Sequence, residues 1–267
     1  MKAKTTRVSS IVLAMAAMII GFIFLPAQHA AAQVSELRVL TSDGMQPALA
    51  DLTPQIERAI GRRLKSQSDS SKNLAGKIQA GEVFDVTILT SETIDDLIKQ
   101  GKITAGSRVE IARCGIGVGI RAGASKPDIS TPEAMKRTLL NAKSITFNST
   151  GATAARINKM LERLGIVEDV RPKIILDPVS GGAQKKVADG KAELVLILIP
   201  EVKFFPGVDY AGPLPADLQS YINFAAGVAA NSHDPEKAKA LISFITTPAA
   251  VPTLKAKGME STVKNPF

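Results

Sequence analysis

Tryptophan is absent from this 267-residue chain, which has two tyrosines, two histidines and one cysteine. Each scarcity removes a class of function. A single cysteine, Cys114, cannot close an internal disulfide, so the fold must rest on its apolar core. Beyond residue 32 there is one histidine, His233, and a lone histidine and a lone cysteine far apart cannot supply the three ligands of a metal site. With few aromatics, and with basic residues interspersed among acidic ones, there is no basic stripe of the kind that binds nucleic acid. The densest basic cluster is only Gly61-Arg62-Arg63-Leu64-Lys65. No nucleophile elbow or phosphate loop is present. The run Cys114-Gly115-Ile116-Gly117-Val118-Gly119 imitates a dinucleotide fingerprint but lacks the third glycine spacing and a following helix; close packing in a strand accounts for its glycines. No cofactor, metal or nucleic-acid partner is expected.

Long apolar runs are also scarce. The one candidate, residues 11–25, follows Lys2, Lys4 and Arg7 and precedes Ala30-Ala31-Ala32. That basic, apolar and small-residue order is the pattern of a secretory leader, here residues 1–32, cut after Ala32. The run falls short of the ~20 residues of a comfortable membrane span. Export with one thiol points to a periplasm. Removing the leader takes away three basic residues and no acidic ones, lowering the formal net charge from +8 to +5, an excess that suits attraction of small anions.

Short β-like runs alternate with helical ones. LRVL precedes a helical pattern in which Leu49, Leu52, Ile56 and Ile60 recur on one face, with Pro54 expected to restart or kink the helix. In ATAARINKMLERLG, Ala154, Ile157, Leu161 and Leu164 share a face closed by Gly165. FDVTIL, KSITF, KIILDPV, AELVLILI and YINFAAGVAA read as strands, and PEKAKALISFI as the last long helix. Such alternation predicts an α/β fold with a mainly parallel sheet covered by helices on both faces.

Four polar turns stand between these runs: Thr41-Ser42-Asp43-Gly44, Ser70-Ser71-Lys72-Asn73, Asn148-Ser149-Thr150-Gly151 and Ser180-Gly181-Gly182. Taken singly, each reads as a helix cap. Their recurrence at strand-to-helix junctions places unpaired N–H groups and hydroxyl donors where open α/β sheets bind ligands, outside the carboxyl ends of strands. The candidate ligand-binding residues are therefore Ser42, Gly44, Ser71, Lys72, Asn148, Ser149, Thr150, Gly151, Ser180 and Gly181. Lys72 is singled out because a cation in a helix-opening turn faces the positive end of the helix dipole, a placement that suggests a ligand role. Asp43 reads either as a cap or as a polar wall of the site.

With these segments quoted, the chain resembles the periplasmic substrate-binding proteins of molybdate-type ABC transporters. The resemblance is carried by DLTPQIERAIGRRLK, SSKNLAGKIQAGEVFDVTILTSETIDDLIKQGKI, KVADGKAELVLILIPEV and YINFAAGVAANSHDPEKAKALISFITTPAAVPTLKAKGM. It implies the two-lobed, type II periplasmic-binding-protein fold, with mixed sheets flanked by helices and a ligand between the lobes. Residues 33–113 with 230–267 would form one lobe, and 114–229 the other together with two hinge-crossing strands, around 114–120 and 223–229. The expected partners are a small anion and an ABC permease, and the expected state is a monomer.

At the ligand site the sequence departs from the family pattern. The family's first-strand serine is replaced by Gly44 and its tyrosine by Leu198, while Ser71 is kept and Lys72 follows it. Molybdate is a tetrahedral dianion held by neutral donors in that family. A carboxylate at Asp43 opposes such an ion, and Lys72 favours a flexible organic acid. A small organic carboxylate is therefore the expected ligand. The same resemblance extends to aconitate isomerase, an exported enzyme that shifts a double bond in a tricarboxylate. On that alternative Asp43 would be the base, Lys72 a carboxylate clamp, and Ser71, Thr150 and Ser180 donors.

Overall fold

A computed structural model describes residues 36–262; the leader expected at residues 1–32 lies outside them. Among the described residues no helix is long and apolar enough to cross a membrane.

The chain begins with β1 (Leu37–Ser42), α1 (Gln46–Ile60), β2 (Leu64–Asp69), α2 (Ser71–Gln79), β3 (Val86–Thr90) and α3 (Ser91–Lys99). A long strand, β4 (Val109–Arg121), then leads to α4 (Pro132–Asn141), β5 (Ile145–Asn148), α5 (Ala154–Leu164) and α6 (Val167–Val170). β6 (Ile174–Asp177), α7 (Gly182–Ala188), β7 (Leu194–Leu198), α8 (Ile199–Lys203) and β8 (Val208–Pro213) follow. β9 (Tyr221–Val228), α9 (Pro235–Ile245), α10 (Val251–Ala256) and β10 (Glu260–Ser261) complete the order.

One sheet has β1 parallel to β2 and β3, continued by antiparallel β9, β4 and β10. In the other, β5 is parallel to β6 and β7, and β4 runs antiparallel to β7 and β8. The sheets are therefore mixed rather than mainly parallel. β-α-β connections impose the parallel pairs, and β4 runs against its partners in both sheets.

β4 passes from one sheet to the other. Residues 109–115 pair with β9, and residues 116–120 with β7. At the change of partner, Gln219 completes the ladder with its side chain: its Oε1 accepts from the Ile116 amide at 2.8 Å and its Nε2 donates to the Ile116 carbonyl at 2.9 Å. The alternate glycines of β4 lie where other side chains press on the strand. A Cβ at Gly117 would sit 2.7 Å from the Tyr210 ring, and one at Gly119 2.6 Å from Val195. β9 pairs with β3 and β4 along its length, so the return between sheets is made by the segment 214–220, ahead of β9.

Each face of each sheet carries its own apolar cluster. α1, α9 and α10 cover one face of the first sheet with Leu52, Ile56, Leu241 and Leu254. On its other face α2 and α3 contribute Leu74, Ile78, Ile94 and Leu97. Met135, Leu139, Ile157 and Leu161 do the same for the second sheet, opposite Ala183, Val187 and Val202. A single helix runs through Pro54 without restarting: Pro54 lies on its exposed face, and Ala50, whose carbonyl loses its partner, is an exposed residue. Gly61 ends that helix in the left-handed conformation at φ 64°, and Gly165 ends α5 in the same way at φ 63°.

Candidate functional site

The turns after β1, β2 and β5 converge, and with the end of β7 they enclose a cavity of about 20 Å³. Ser42, Asp43, Ser70, Ser71, Asn148, Gly151, Ala152, Thr153, Ile197 and Glu201 line it. It has room for little more than one water. Ser70 caps α2 by accepting from the Asn73 amide at 3.2 Å, and its oxygen lies 3.4 Å from Thr150 Oγ1 in the turn after β5. Ser71 Oγ accepts from the Thr90 amide at 3.1 Å, which leaves its proton free to donate. Asn148 holds its own turn shut, its Oδ1 accepting at 2.8 Å from both the amide and the hydroxyl of Thr150. Thr153 opens α5 but does not cap it, and its Oγ1 is buried without a partner.

Asp43 and Glu201 also form part of a second, larger cavity of about 240 Å³. Its other walls are Gln46, Pro47, Ser68, Ser180, Gly181, Gln184, Pro200, Phe204 and Phe205. Asp43 does not cap α1; its Oδ2 accepts from Ser180 Oγ at 2.7 Å, joining the turn after β1 to the turn before α7. Burial raises its pKa above the ordinary carboxylate value, against hydrogen bonding from Ser180 and Ser68. Glu201 is affected more strongly. Burial, aided by the neighbouring Asp43 charge, pushes its carboxyl up to about 8, although the residue as a whole keeps some exposure. Gln184 Nε2 donates to Glu201 Oε2 at 3.4 Å, while Gln184 Oε1 is buried and unpartnered. The site thus joins hydroxyl donors to two carboxyl groups, one of which holds its proton at neutral pH.

The pattern of a family described as bacterial extracellular solute-binding protein matches residues 37–260. This chain belongs to that family. It is 27% identical over 243 residues to an aconitate isomerase from a Pseudomonas species, covering 89% of this chain and 92% of that one. It is 26% identical over 234 residues to the molybdate-binding protein ModA of Azotobacter vinelandii, covering 85% and 91%. The solved Azotobacter vinelandii periplasmic molybdate-binding protein superimposes with a TM-score of 0.71 at 21% identity, over 84% of this chain and 98% of that one. The chain is thus a ModA-like solute-binding protein in fold.

Within this solute-binding protein, the sequence-predicted residues divide. Ser42, Asp43, Ser71, Asn148 and Gly151 line the inner cavity, and Ser180 and Gly181 line the outer one with Asp43. Thr150 stands behind the inner wall, bonded to Asn148 and to the Pro178 carbonyl at 3.2 Å. Three others lie elsewhere. Lys72 is exposed in the first turn of α2 and lines neither cavity, because Ser71, not Lys72, occupies the inward face of that turn. Ser149 is exposed and borders a separate groove with Phe147 and Leu161. Gly44 faces the core: a Cβ there would lie 2.6 Å from Leu198 Cδ1 and 2.9 Å from Phe224 Cζ. The two departures from the family pattern, Gly44 and Leu198, are therefore one packed contact.

Sequence reasoning quoted Ser70 within its turn without singling it out, and missed Thr153, Gln184, Glu201 and the two phenylalanines. Glu201 carried a usable signal, since it follows β7 directly at a strand's carboxyl end. Gln184 carried none, because only the packing of α7 against α8 gives it meaning.

Proposed function

We propose that this solute-binding protein, exported by its leader to the periplasm, holds one small organic carboxylate between its lobes and presents it to an ABC permease. On this reading one lobe is about 36–115 with 221–262 and the other about 116–213, with 214–220 as the second crossing. The observation that carries it is that a buried Thr153 hydroxyl without a partner lines the same cavity as the hydroxyl-bearing Ser42, Ser70 and Ser71. Thr153, Ser71 and Ser42 are donors of the kind a carboxylate needs. A tetrahedral dianion would meet Asp43 as a like charge, whereas an organic acid can turn a neutral or donor-bearing part toward it. Titration calorimetry of the purified mature chain decides the matter. Di- or tricarboxylates should bind more tightly than molybdate and sulfate, and tight molybdate binding with no carboxylate response would overturn the proposal.

A second reading, catalysis of a proton shift, is favoured by the Asp43–Glu201 pair. A group that titrates near 8 beside a second carboxyl supplies an acid and a base at one pH. Ionised Asp43 would take a proton from a carbon next to the double bond of an unsaturated tricarboxylate. The C–H electrons would form a new C=C, the old one would move its pair to the far carbon, and Glu201 would protonate that carbon. One proton leaves the substrate and one returns, leaving Asp43 protonated and Glu201 ionised until they exchange protons with solvent. The 27% identity to aconitate isomerase suits this reading. Absorbance-monitored conversion of cis- to trans-aconitate tests it; conversion should vanish in both Asp43→Asn and Glu201→Gln, and no conversion by concentrated wild type would eliminate it.

A further inference from the structure

Two buried side-chain atoms lack a hydrogen-bond partner among the described residues: Thr153 Oγ1 and Gln184 Oε1. They are not scattered. Thr153 lines the inner cavity and Gln184 the outer one, and Asp43 and Glu201 belong to the walls of both. Buried polar groups are nearly always paired, so two orphans in adjoining cavities point to one absent molecule that pairs both.

The two ends call for opposite chemistry. Around the inner cavity the hydroxyls of Thr153, Ser71 and Ser42 can donate, which suits a carboxylate oxygen. In the outer cavity the unpartnered group is an acceptor. Gln184 gives one of its two amide hydrogens to Glu201 while its carbonyl oxygen is buried without a partner, and Asp43 is already accepting from Ser180. Pro47, Pro200, Phe204 and Phe205 supply apolar walls, and although Gln46, Ser68 and the protonated Glu201 carry donors of their own, none of them is bonded to Gln184 Oε1. Resting on the carboxylate reading above, we infer that one ligand spans both cavities, its carboxylate at Thr153 and an O–H or N–H donor on its carbon chain at Gln184. The ligand is then a short acid bearing a hydroxyl or ammonium group. A bare carboxylate of the same length leaves Gln184 unpaired, and a site built to bond a donor rejects the analogue that lacks it.

Calorimetric titration of the intact mature chain with matched acids tests this: succinate against malate and aspartate, and tricarballylate against citrate. Within each series the donor-bearing acid should bind at least tenfold more tightly, and the better of malate and aspartate tells hydroxyl from ammonium. Gln184→Met, which keeps the length and removes the acceptor, should bring the two members of a series within about threefold. Wild-type ratios alone carry the test if that variant does not fold, as read from its thermal denaturation. Equal affinity within every series that binds overturns the spanning ligand and leaves carboxylate binding standing. Absence of binding by all five acids overturns both.

Discussion

A carboxyl group that keeps its proton to about pH 8 makes the folded chain less stable wherever the solvent would remove that proton. Glu201 is such a group. Its pKa is raised on folding, so between about 4.5 and 8 the folded state binds more protons than the unfolded one, and stability falls as pH rises through that window. In ligand-free protein the thermal midpoint should therefore decline from pH 5 to pH 8. Glu201→Gln, neutral at every pH, should flatten most of that decline, and a wild-type profile that is already flat would show that Glu201 titrates normally. Lys72 provides the contrast. Exposed and away from both cavities, its replacement by Ala should change carboxylate affinity by less than about twofold in the same calorimetry. A larger loss would bring Lys72 back into the site.

At the scale of elements, the mutual fit of Gly44 and Leu198 explains a change that the sequence could only register. The turn after β1 approaches the end of β7 so closely that any side chain at position 44 meets Leu198 and Phe224. Gly44→Ala should destabilise the fold by ~1–3 kcal/mol, the range for overpacking a core. Leu198→Ala alone should cost ~2–5 kcal/mol by opening a cavity. In urea denaturation the double variant should lose less than the two single losses combined, because the added methyl enters the space the leucine leaves; strict additivity would refute the contact. Helices and strands were legible because each alternates or recurs on one face, and the polar turns were legible because they punctuate that rhythm. The reversal of β4 against its neighbours was not, since periodicity is blind to strand direction. Nor was the inward role of Gln184 or Thr153, which depends on an atom being left without a partner in three dimensions. Lys72 misled for a related reason: dipole arguments locate a charge near a helix end but not on which side of it.

Across the whole molecule, closure is a balance of small terms. On the proposed division the contacts that join the lobes include Ser180 to Asp43 at 2.7 Å, Ser70 to Thr150 at 3.4 Å, Arg156 to Glu92 at 3.4 Å, Lys203 Nζ to the Ala256 carbonyl at 3.3 Å and the Lys257 ammonium 4.1 Å over the Phe204 ring. The first is charge-assisted and contributes ~1.5–3 kcal/mol, whereas the exposed ion pair contributes ~0–1 kcal/mol. Against them stand two buried atoms without partners, each costing about 1–3 kcal/mol. On the proposed reading, a ligand that pairs Thr153 and Gln184 removes that cost and so favours the closed arrangement. Small-angle scattering should then show a smaller radius of gyration when a binding carboxylate saturates the mature chain. Thr153→Val separates this account from simple ligand contact. Valine keeps the shape and removes the orphan hydroxyl, so the ligand-free variant should be more compact than ligand-free wild type. Its affinity should nevertheless fall, by about tenfold, since the hydroxyl meant for the carboxylate is gone. A variant that binds weakly yet stays as expanded as wild type would mean that Thr153 contacts the ligand without governing closure.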